Sequence, residues 1–208
     1  TLTTTDGLIA QGACSSISQL AIGAQLFCPQ VKDVTFPNTE VTIVEATAGG
    51  KVITEKATLN VSKVNGVGLL SGLTTKLQEG KGYKLAIKVP KGLRRVLKNA
   101  LGGFNAVRGT TNVDFTTAGG GAKLPLGDIF PSGSGDGSIN SADFVQLKGD
   151  IAAAKPATNN YSDLNQDSWV NSFEWACMRP DLGTSDDSIP TPGPLISLTP
   201  TPTALPSA

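Results

Sequence analysis

Apolar and polar residues alternate in short runs over the first half of the chain, and the period lengthens in the second. Tyr83, Leu85, Ile87 and Val89 alternate with Lys84, Ala86 and Lys88, which gives a strand with one buried and one wet face. The stretch around Val41 and Ile43 and the runs Lys51–Lys56 and Thr58–Val64 are rich in β-branched residues, which suit a pleated, half-buried surface. Ala48-Gly49-Gly50 and Asn65-Gly66 supply turns between them, the second being the dipeptide favoured in tight hairpins. Pro90 ends the strand that begins at Tyr83, Gly92 to Asn99 is expected to make one or two helical turns, and Asn112 to Thr116 reads as a closing strand. Beyond residue 126 the apolar spacing becomes helical, as in Phe144, Leu147 and Ile151.

Many strands with short turns and little helix predict a mainly β protein with a small α module. Residues 1–118 are expected to form an immunoglobulin-like β-sandwich. Gly119-Gly120-Gly121 opens a flexible joint over 119–126, and residues 127–187 form a separate, acidic module. From 188 to 208 the chain is Thr/Pro-rich and cannot build a core. An extended, polyproline-like stalk open to O-glycosylation is expected there. Within it, Leu195-Ile196-Ser197-Leu198 is apolar and keeps backbone donors, so it can add to an open sheet edge.

Charge changes this picture in one respect. The net charge is zero, which gives no global reason to expect nucleic acid or an anionic membrane as partner. Yet Lys81 to Arg108 holds eight basic residues and no acid, and Leu126 to Asp187 holds ten acids against Lys148, Lys155 and Arg179. The basic run reads either as a solvated face or as a contact for the acidic module or an anionic glycan. No run approaches the length of a membrane-spanning helix, and no signal peptide is visible. Because the chain opens on Thr1 and not Met, a mature form or a fragment is expected. Histidine is absent, which removes His-based triads, HExxH metalloprotease sites and His-ligated zinc together. The three cysteines, Cys14, Cys28 and Cys177, form no CxxC pair. Cys14 and Cys28 flank one short candidate hairpin, so their pairing is the expected disulfide, with three buried thiols as the alternative.

The acidic module contains an internal repeat. Ile139-Asn140-Ser141-Ala142-Asp143-Phe144 aligns with Val170-Asn171-Ser172-Phe173-Glu174-Trp175, each copy following an Asp-rich segment. In the second copy Asp163, Asn165 and Asp167 fall at alternate positions. The Trp169 carbonyl, Asn171 (through water) and the Glu174 carboxylate complete a set of oxygens that one loop can wrap around calcium. Ser168 stands where the sharp turn calls for Gly, so a positive φ is expected at a cost on the order of 1 kcal/mol. Val170 is expected to pair with Ile139, and Ser172 to cap the exiting helix. The first copy has Asp136, Gly137, the Ser138 carbonyl, Asn140 and Asp143. Counting back at normal spacing gives Ser132 and Ser134, which are poor ligands. Alternatively Asp128 is the first ligand and Phe130-Pro131-Ser132-Gly133 is an insertion, the reading we prefer.

On these residues, the segment from Gly127 to Asp187 resembles a dockerin, the paired EF-hand-type calcium module that docks onto cohesins in bacterial surface assemblies. Lys88 to Leu93, Asn112 to Phe115 and Gly127-Asp128 are similar to bacterial surface proteins in which an immunoglobulin-like domain precedes such a module. The resemblance implies calcium as cofactor, an extracellular location and a protein partner. That partner is a surface scaffold, a cohesin or further copies of the chain in a filament. It also implies contacts through Ser141, Ala142, Lys148, Ser172, Phe173 and Arg179, although Phe173 departs from the small hydroxyl pair usual there. With no histidine and no converging acids outside the loops, no catalytic residue is expected. An accessory fragment of a larger secreted enzyme is the remaining alternative.

Overall fold

A computed structural model of the chain describes residues 17–28, 30, 32–131, 133–153 and 161–195. It is mainly β with two short helices, consistent with a β-sandwich. The strands are β1 (Ile17–Gln25), β2 (Val34–Glu45), β3 (Val52–Val61), β4 (Val67–Ser71), β5 (Leu77–Gln78), β6 (Gly82–Lys88), β7 (Arg95–Val96), β8 (Phe104–Asn105) and β9 (Gly109–Phe115). Hydrogen bonding runs in the order β5-β1-β4-β3-β2-β6-β7, with β8 on β6 and β9 parallel to β1 from Ser18↔Gly109 to Ala24↔Phe115. Alternation decides which faces turn inward. Leu20, Ile22 and Ala24 of β1, Tyr83, Leu85 and Ile87 of β6, and Val113 and Phe115 of β9 are all buried.

Several expectations change. The Cys14-to-Cys28 region contains not a hairpin but the single long strand β1, held by β9 on one side and by β4 and β5 on the other. The two β-branched runs at 51–56 and 58–64 form one strand, β3, and the segment after Pro90 contains β7 in place of helix. Asn65-Gly66 closes a wider loop in which the Gly66 N–H donates back to the Ser62 carbonyl at 3.0 Å.

The second part carries β10 (Ser138–Ile139), α1 (Ser141–Ala152), α2 (Ser172–Met178), a short 3-10 turn (Arg179–Asp181) and β11 (Thr184–Ser185). Ile139 pairs with Thr184, not with Val170, so the strand after α2 closes the unit. Asn140 and Asn171, not Ser172, cap the helices. Each accepts an N–H two residues on, while Asp143 or Glu174 accepts from the capping residue's own N–H.

The two parts share one interior. Leu26, Cys28 and Leu93 belong to the same buried cluster as Ile139, Leu147, Leu164, Val170 and Met178, and Leu124 and Leu126 between them are fully buried. The residues expected as a flexible joint therefore pack closely. Leu26 bridges Leu124, Gly92 bridges Leu126, and a Cβ on Gly121 would collide with the Phe115 main chain. A disulfide joins Cys28 to Cys177 on α2, overturning the expected Cys14–Cys28 pairing; Cys14 itself lies outside the described residues. Closing a loop 149 residues long stabilises by about 5 kcal/mol in the chain-entropy account.

The basic run is a contact for the acidic part. Lys88 meets Asp128 and Asp186, Arg94 meets Asp186 and Glu40, and Lys98 meets Asp187. Beyond β11 the chain follows β6 and β7 and does not leave as a stalk. The Val96 N–H donates to Asp187, Lys84 Nζ donates to the Thr191 carbonyl at 3.0 Å, and Leu195 fills a notch above Gly82 and Gly103. The rest of the tail, including Ile196-Ser197-Leu198, lies outside the described residues.

Candidate metal centre

The second loop is built by short-range bonds that force its carboxylates inward. Asp163 Oδ1 accepts the Asp167 N–H and Oδ2 the Ser168 N–H, both at 3.2 Å. Asn165 Oδ1 accepts the Asp167 N–H while its amide donates to Asp167 Oδ2 at 3.0 Å. The Trp169 N–H donates to Asp167 Oδ1, so the loop curls around its own acids. Ser168 takes the expected positive φ, 80°. Trp169 brings its main chain to this turn and leaves its ring exposed.

Glu174 enters from the first turn of α2. Its Oε2 accepts the Asn171 N–H at 2.6 Å, and its Oε1 is buried without a hydrogen-bond partner. Carboxylate oxygens of Asp163, Asp167 and Glu174 all lie within 4.8 Å of one another, and Glu174 is wholly buried. Burial pushes the Glu174 carboxyl up to about 7, with the charges of Asp167 and Asp163 acting the same way. Burial also raises Asp163 against the N–H bonds it accepts. Three acids crowded around an unbonded buried oxygen are costly without a counter-charge, so this set fits a hard cation taking oxygen ligands. Lys91, on the turn after β6, donates to the main-chain carbonyl of Asp163 at 3.2 Å and couples this loop to the strands.

The first loop starts the same way. Asp128 is buried, and its Oδ1 accepts the Asp136 N–H at 2.8 Å, as Asp163 accepts from Asp167. The Gly137 N–H, at φ 84°, donates to Asp128 as Ser168 does to Asp163. Asp128, and neither serine, therefore stands in this loop where Asp163 stands in the second. Ser134 turns its hydroxyl to the Pro131 carbonyl, and Ser132 is outside the described residues. The end of the loop differs. Asp143 Oδ1 accepts the N–H groups of Ile129 and Phe130, both at 2.8 Å, and Oδ2 accepts that of Asn140. Asp136 is held by the Ser138 N–H and by the Asn140 amide. Asn140, expected as a ligand, and Asn171, expected as a ligand through water, spend their side-chain carbonyls on the helix N-termini. Ser138 lies in β10, opposite Ser185.

Contact between the basic run and the acidic part is one of the readings the sequence offers, but not which residues meet. The alternating Lys84 and Lys88 marked a wet face of β6, and the excess of acids beyond Leu126 was the one signal of what that face meets.

No protein-family model matches the chain, and no curated protein matches it. Two solved chains are similar in structure, both from type II cohesin–X–dockerin complexes of Acetivibrio cellulolyticus, one a C-terminal and one an N-terminal interface mutant. Each is 16% identical with a TM-score of 0.47, over 80% of this chain and 97% of that chain. At this identity and score the likeness decides nothing about ligand or partner.

Proposed function

We propose that this chain is a non-catalytic, extracellular assembly protein of the bacterial surface. In this reading an immunoglobulin-like layer carries a dockerin-like unit whose second loop holds one calcium ion. The observation that carries it is the Glu174 carboxylate, gathered with those of Asp163 and Asp167 and holding a buried Oε1 without a hydrogen-bond partner. Asp163, Asn165, Asp167, the Trp169 carbonyl and Glu174 would hold the ion, which neutralises acids that the apolar interior cannot solvate. The Cys28–Cys177 disulfide supports an oxidising, extracellular location. Among the described residues no helix is long and apolar enough to cross a membrane.

A protein partner fits the surface better than a small molecule. Val145 and Phe173 stand 67% and 64% exposed on α1 and α2, and among the described residues β9 pairs only with β1, which leaves its outer edge open. A scaffold of the cohesin kind or a further copy of the chain would be met there. The chain's lack of histidine, and the confinement of its acid cluster to the loop, support a structural role over a catalytic one.

Calorimetric titration of the chelated protein should show calcium binding at micromolar to millimolar levels. Terbium in its place should luminesce on Trp169 excitation. Glu174→Gln should weaken the ion at least about 100-fold and remove the luminescence. Equal affinity in the variant would refute the site.

A further inference from the structure

We propose that the ammonium of Lys88 is the resident cation of the first loop, so that this loop closes without calcium and welds the strands to the helical unit. Lys88 projects from the end of β6 and places Nζ 3.3 Å from Asp128 Oδ2 and 3.2 and 3.0 Å from the two oxygens of Asp186. Asp128 is the acid that the loop's own N–H groups hold in the first-ligand position, and its side chain is 1% exposed. Burial raises Asp128 while the Lys88 charge opposes that rise, so the ammonium supplies the counter-charge a metal would otherwise bring.

The oxygens of the loop's closing acid are committed elsewhere. Asp143 gives both to three backbone N–H groups. It is one methylene shorter than Glu174, so its carboxylate stays beside those donors. Two residues before Asp136, where the second loop has Asn165 before Asp167, stands Ser134, whose hydroxyl donates to the Pro131 carbonyl at 2.7 Å. Asp186, from the strap after β11, adds the second carboxylate and is itself fixed by the Arg94 N–H at 2.7 Å and by the Arg94 guanidinium. Arg94 continues to Glu40 on β2, whose carboxyl is held below the usual range. There burial acts upward, but the bonds from Arg94 and Lys56 outweigh it. The ammonium thus sits at the end of a charge-alternating chain from Lys56 through Glu40, Arg94 and Asp186 to Lys88 and Asp128. A cleft of about 240 Å³ lined by Lys88, Asp128, Gly133 and Ser134 adjoins the pair.

This assignment uses the calcium reading of the second loop only for contrast, and the two can be told apart. Native mass spectrometry of the whole chain in calcium should count one ion, and Glu174→Gln should carry none. A second ion that survives Glu174→Gln and is lost with Asp128→Asn would overturn the proposal. In chelator, Lys88→Met should lower the melting temperature by roughly 10 °C, because it strands a buried carboxylate. Adding Asp128→Asn to Lys88→Met should recover about half of that loss, because the stranded charge is gone. Losses that simply add would also overturn it. Lys88→Gln replaces Lys88→Met if the latter does not fold, and Lys88→Arg should keep most of the stability. If the wild-type protein binds no ion, the calcium site fails while the coupling of Lys88 to Asp128 still decides this proposal.

Discussion

In the first loop both oxygens of Asp143 accept backbone N–H groups, whereas in the second Glu174 commits one oxygen to Asn171 and buries the other unbonded. The loops begin alike, with Asp128 and Asp163 each drawing in the N–H groups eight or nine and four or five residues on. They part at the closing acid, where one methylene separates a carboxylate that stays with the main chain from one that reaches the other acids. The first loop then takes its positive charge from Lys88, across the junction with β6. The second loop keeps three acids together and leaves one buried oxygen of Glu174 without a hydrogen-bond partner. A repeat can thus preserve its turn geometry while its two copies meet the same charge problem differently, one by tertiary contact with Lys88 and one by gathering the acids that the proposed calcium ion would neutralise.

The sharpest way to break this comparison is to neutralise the two closing acids in turn. Asp143→Asn should cost about 3 kcal/mol whether or not calcium is present, because an amide N–H₂ would face a backbone donor that Asp143 now accepts. Glu174→Gln should do the opposite in chelator, leaving stability unchanged or raised, and should abolish any stabilisation by calcium. Chemical denaturation of both variants, with calcium and with chelator, gives the four values needed. Equal calcium dependence in the two would erase the distinction.

Acidity should separate the loops next. The Glu174 carboxyl is raised from its ordinary 4.5 to about 7 by burial. The stability this lends the metal-free protein is complete below pH 4.5 and is lost as pH rises through about 7. In chelator the protein should therefore melt at a lower temperature at pH 8 than at pH 5. With calcium the order should reverse, because the ion binds the ionised carboxylates. Glu174→Gln should flatten most of the chelator trend.

The smallest expected effect lies at the turn both loops share. Ser168 holds φ 80° where Gly137 holds 84°. Ser168→Gly should relieve about 1 kcal/mol and strengthen calcium binding several-fold. Gly137→Ser should cost about as much, independently of calcium, from the positive φ alone, since its Cβ would only touch Asp186 at 3.4 Å. Titration calorimetry of the first and thermal melts of the second resolve changes of this size.

Much of the strand layer was legible because strand periodicity is local. The alternation from Tyr83 to Val89 placed β6, and the β-branched runs placed β3. The loop acids were legible for the same reason, since a turn that curls on its own side chains needs only short-range spacing. The positive φ of Ser168 followed from position alone. The expected helix after Gly92 is absent, because Leu93 and Leu97 are buried and bond through their N–H groups to Pro125 and Leu85 and not to a helix of their own. The cap of α2 is expected at Ser172 but is held by Asn171, because both residue types cap and only the backbone shows which stands just outside the helix.

The sequence by itself determined strands such as β6, the repeat, the two acid-rich turns and the split of charge between the halves, all set by neighbours a few residues apart. Only the tertiary structure decided that Cys28 meets Cys177, that Leu124 and Leu126 are interior rather than a joint, and that the strap from Asp186 to Leu195 lies along β6 and β7. It alone decided which lysine meets Asp128. Such pairings join residues from about 40 to 149 positions apart. Their partners are selected by burial, by the cost of stranding a charge and by the closing of one shared core, none of which leaves a spacing to read along the chain.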